Sequence, residues 1–60
     1  MFAIKNKNNQ YLTRMGIDAD YSFTDNKNFA YVWGKLTEAE VVRNILTDHQ
    51  NITDLEIVTI

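Results

Sequence analysis

Only one stretch of this chain carries a helical period, and a single helix can cover just one face of whatever sheet the rest builds. Ala39, Val42, Ile45, Leu46 and His49 recur at spacings of three and four, so the pattern predicts an amphipathic helix over 38–49. Val41 widens the apolar stripe on one flank, while Glu40, Arg43, Asn44, Thr47 and Asp48 fall on the solvated side. Thr37 followed by Glu40 reads as a capping box, and Leu36 with Val41 as a hydrophobic staple. Glu38 and Glu40 add negative charge where the helix dipole favours it. Asn51 is the expected stop, because asparagine tolerates the left-handed conformation that ends a helix, and Ile52 is then expected to fold back towards Leu46.

The flanking sequence alternates with the period of strands. Phe2–Lys5 and Gln10–Arg14 flank a polar run and predict a β-hairpin. A three-residue loop of Lys7, Asn8 and Asn9, with Asn9 left-handed, sets Ile4 against Leu12 and Phe2 against Arg14. That register gathers Phe2, Ile4 and Leu12 on one face. Residues 15–20 read as irregular with a bend at Gly16, and Tyr21–Thr24 as a short strand. Thr24–Asn28 reads as a turn rich in residues that bond their own backbone. Phe29–Trp33 alternates like a strand, and Gly34 offers freedom to turn towards the helix. Leu55–Ile60 is the last expected strand. It is apolar on both faces, which predicts an interior place or an outer face covered by a partner. The expected fold class is α+β in a single domain, residues 1–60. A small, mainly antiparallel sheet of three to five strands, in the order β-β-(β)-β-α-β, carries one helix on one face.

Sixty residues bury only about 60% of the surface that the unfolded chain exposes, and there is no cysteine to staple them. A homodimer that completes the core is therefore one expectation. A net charge of −2 gives no general attraction to nucleic acid or membrane. Charge is nonetheless segregated: residues 1–14 hold Lys5, Lys7 and Arg14 without an acid, whereas 37–60 hold five acids against Arg43. Met1 runs into Phe2-Ala3-Ile4 without a basic leader, and no apolar run is long enough to span a bilayer. A cytoplasmic protein is expected.

The residues for common chemistries do not assemble in the sequence. Asp18, Asp20 and Ser22 imitate the start of a calcium loop, but Phe23 and Phe29 stand where glycine and glutamate are needed. His49 is the sole histidine, and in the last turn of a helix it reads most simply as a favourable partner of the helix dipole. Ser22, the sole serine, lacks a nucleophile-elbow context. Two glycines cannot form a phosphate-cradling loop. The expectation is a non-enzymatic protein with no cofactor and no metal. Two sets of residues point to binding. Phe29, Tyr31 and Trp33 form an aromatic row that is either core or a protein-partner surface, depending on which face the helix covers. Lys5, Lys7, Tyr11 and Arg14 interleave cations with an aromatic, the pattern of single-stranded nucleic-acid contact.

Thr24-Asp25-Asn26, Ala30-Tyr31-Val32-Trp33 and Leu36-Thr37-Glu38-Ala39-Glu40, after Phe2-Ala3-Ile4-Lys5 and Tyr11-Leu12-Thr13, give the chain a resemblance across most of its length. It resembles small proteins encoded by phages and prophages of low-GC Gram-positive bacteria. The resemblance implies the cytoplasm of a bacterial host and no established activity, so no functional residue is carried over from it.

Overall fold

The computed structural model describes residues 1–15 and 21–60, so the expected bend at Gly16 and the acids Asp18 and Asp20 lie outside the described residues. Strands β1 (Phe2–Lys5) and β2 (Tyr11–Met15) form the expected hairpin, with Lys5 opposite Tyr11. Its loop has the expected geometry, with Asn9 at φ 66°. Asn6 organises the turn. Its carbonyl accepts the Asn9 amide at 3.1 Å, and its side-chain oxygen accepts the amides of Asn8 and Gln10 at 3.0 and 2.9 Å. A short amide side chain of this kind satisfies turn donors that a strand ladder leaves open. Ile4 and Leu12 are both fully buried in one cluster with Leu46.

Beyond Tyr11 the hairpin splits, and here the structure departs from the expected register. Phe2 does not pair with Arg14. It exchanges two hydrogen bonds with Trp33, amide to carbonyl at 2.8 Å and carbonyl to amide at 2.9 Å. The Leu12 carbonyl accepts the Tyr31 amide at 2.8 Å. Residues 31–33 are thus a wedge of extended backbone between β1 and β2. The strand expected over Phe29–Trp33 is corrected accordingly: Lys27–Phe29 is a turn of 3₁₀ helix and only Trp33 makes a ladder bridge. The cause is local. The Thr24 hydroxyl accepts the Asn26 amide at 3.1 Å, and the Asn26 side chain accepts the Asn28 amide at 3.0 Å, so the chain curls before it can extend.

Strand β3 (Tyr21–Thr24) pairs with β2 through a register shift between Leu12 and Arg14. Strand β4 (Glu56–Thr59) pairs with β1, giving an antiparallel sheet in the order β3-β2-β1-β4. Together with one helix across one face, this is a small α+β fold. The doubly apolar last strand is therefore at an edge, not in the interior.

Helix α1 (Leu36–Gln50) begins two residues before the expected start. Lys35 is the extended N-cap and its carbonyl accepts the Ala39 amide at 3.4 Å. Thr37 is already helical, whereas a capping threonine must be extended. The capping box therefore does not form, and no side chain caps this end. Leu36 and Val41, the expected staple, are both exposed. Ala39 and Leu46 are buried and Val42 half-buried, but Ile45 and His49 are exposed, so the buried stripe is narrower than its pattern. The other end is as expected. Asn51 is left-handed at φ 57°, the Ile52 amide donates to the Leu46 carbonyl at 3.3 Å, and the Ile52 side chain packs on the core.

These boundaries carry a test in urea denaturation. Lys35→Ser supplies the missing cap and should stabilise the protein by about 1 kcal/mol, whereas Thr37→Ala should cost less than about 0.5 kcal/mol. A larger loss at Thr37 would restore the capping box.

Candidate interaction surfaces

Phe29, Tyr31 and Trp33 are brought to one region but do not share one environment. The bridge to Phe2 sets Trp33 on the helix-side face with Ile4, where it is half-buried against the core cluster. Tyr31 lies over Trp33, ring centroids 4.9 Å apart and planes 39° apart, yet remains 51 % exposed. Phe29, carried outward by the 3₁₀ turn, is 65 % exposed. The row is thus core at one end and surface at the other. Its backbone is held firmly: the Thr13 hydroxyl donates to the Phe29 carbonyl, the Ala30 amide closes on Lys27 at 3.1 Å, and Tyr31 is tied to Leu12. These bonds fix the main chain beneath the rings of Phe29 and Tyr31.

On the sheet face away from the helix, pairing unites three of the four basic-hairpin residues. Lys5 and Tyr11 are cross-strand partners, with the ammonium 5.4 Å from the ring centroid. Arg14 pairs with Ser22, which alternates with the core-side Phe23 and so puts Arg14 on the same face. Lys7 stands apart, exposed at the loop tip. Glu56 is the partner of Lys5 on the other side, so the patch is not purely cationic.

Features that the sequence reading did not single out lie beside β4. A groove of about 660 Å³ runs between α1 and β4, lined by Leu36, Glu40, Arg43, Asp54, Leu55, Glu56 and Ile57. Its only forewarning in the sequence was the doubly apolar Leu55–Ile60. His49 is exposed in the last turn of α1. Among the described residues, no group of three or more His, Cys, Asp and Glu is placed to hold a metal, and no helix is long and apolar enough to cross a membrane. Comparison with protein-family models, curated proteins and solved structures finds no match for the chain.

Thermal or urea unfolding distinguishes the two ends of the aromatic row. Trp33→Ala should cost roughly 2–3 kcal/mol, because it empties a half-buried site and loosens the wedge. Phe29→Ala should stay within about 0.5 kcal/mol, as expected for a surface position. Equal losses would place both rings in one environment.

Proposed function

We propose that this protein is a non-enzymatic interaction module of phage or prophage origin, acting in the bacterial cytoplasm on a host or phage protein. The observation that carries this reading is the pair of exposed rings, Phe29 and Tyr31, held on a backbone that is bonded into the sheet. Large apolar side chains left in water on a fixed backbone are what interface anchors look like before binding. Trp33 supports Tyr31 from below and forms the inner wall of the same surface. The test uses cross-linking of the intact protein in a Gram-positive lysate, with a Phe29→Ala/Tyr31→Ala double variant as the matched control. The expected outcome is one protein that the wild type enriches and the folded double variant loses. Equal enrichment by both would remove the aromatic surface from the reading.

A second reading rests on the shared face of Lys5, Tyr11 and Arg14: contact with single-stranded nucleic acid by stacking and phosphate pairing. It predicts a mobility shift of a single-stranded probe at low salt that fades steeply as salt rises and weakens in Tyr11→Ala. No shift at low salt would end this reading.

A further inference from the structure

Strand β4 lies at one edge of the sheet, on the far side of β1 from the aromatic surface. Antiparallel ladders alternate bonded and non-bonded pairs. The Ile60 amide donates to the Met1 carbonyl at 2.9 Å, so the bonded positions facing β1 are Ile60, Val58 and Glu56. Ile57 and Thr59 pair with Ile4 and Phe2 as non-bonded partners, and their amides and carbonyls therefore point away from the sheet. Edge strands are usually blunted by proline, lysine or a bulge. Glu56-Ile57-Val58-Thr59 has none of these, and its β1 register is uninterrupted.

The groove beside this edge indicates what would lie there. Its apolar floor is Leu36, Leu55 and Ile57. Its lining includes Glu40 and Asp54 against the single cation Arg43, and Glu56 lies along the same edge with its side chain on the Lys5 face. A second copy would bring the same acidic excess to the contact, and like charges across an interface oppose docking. A basic strand meets neither difficulty.

We propose that β4 and the adjoining groove bind an extended partner segment by strand addition, the segment carrying apolar side chains at alternate positions and Lys or Arg between or beside them. Main-chain bonds to Ile57 and Thr59 supply the register. An apolar side chain enters over Leu36, Leu55 and Ile57, and the cations meet the carboxylates.

The probe is a fluorescent peptide of alternating lysine and isoleucine, with a glutamate-for-lysine peptide as its counterpart, titrated with the intact protein by anisotropy. Thr59→Pro removes one outward amide and leaves the β1 ladder whole, since that nitrogen donates nothing within the sheet. The lysine peptide should bind, the glutamate peptide should not, and Thr59→Pro should weaken binding by about tenfold or more. Glu40→Lys/Glu56→Lys should reverse the preference between peptides. No binding of the lysine peptide, equal binding by Thr59→Pro, or equal affinity for both peptides would overturn the proposal. So would a sedimenting dimer that Thr59→Pro dissociates, because the edge would then belong to a second copy.

Discussion

The fold depends on a wedge of backbone, residues 31–33, bonded between two strands that would otherwise have stayed paired. Phe2 and Trp33 satisfy each other's amide and carbonyl, and Tyr31 takes the Leu12 carbonyl. Buried main-chain groups left without partners cost free energy comparable to a lost hydrogen bond. A hairpin that splits therefore needs something to occupy the gap, and this segment does so. The same bonds bring Trp33 onto the core of Ile4, Leu12 and Leu46. They also carry the chain to Lys35, where α1 starts and crosses to the far side of β1.

This arrangement places core and exposed aromatic side chains in one segment. One turn of 3₁₀ helix ahead of the wedge places Phe29 in solvent, and the wedge itself exposes half of Tyr31 while Trp33 remains against the core. Side chains four positions apart, Trp33 and Phe29, thus pass from half-buried to exposed within one short segment. The sheet has two other exposed resources: the basic, aromatic face of Lys5, Tyr11 and Arg14, and the unblunted β4 edge.

The local signals of the sequence were legible where one residue decides the geometry. Asn9 and Asn51 adopt the left-handed conformations expected of them, and the hairpin loop and the helix C-terminus follow. The α+β class followed from one helical period among alternating segments. What escaped the sequence was set by tertiary pairing. Period-two alternation in Phe29–Trp33 is shared by a strand and by a wedge that pairs at a single position, so spacing does not separate them. The N-terminus of α1 was misplaced because a good capping residue, Thr37, competed with a start at Leu36, reached from the wedge through a bend at Gly34 and Lys35. The place of β4 was ambiguous for a similar reason. Apolar residues on both faces fit an interior strand as well as an edge strand beside a groove.

Amide hydrogen exchange of the intact protein tests the wedge most directly. The account predicts that the amides of Phe2, Trp33 and Tyr31 exchange as slowly as that of Leu46 in the buried stripe of α1, opening only with global unfolding. Exchange at these three as fast as at Lys7 in the exposed loop would contradict it. The hairpin would then be closed by something other than this segment.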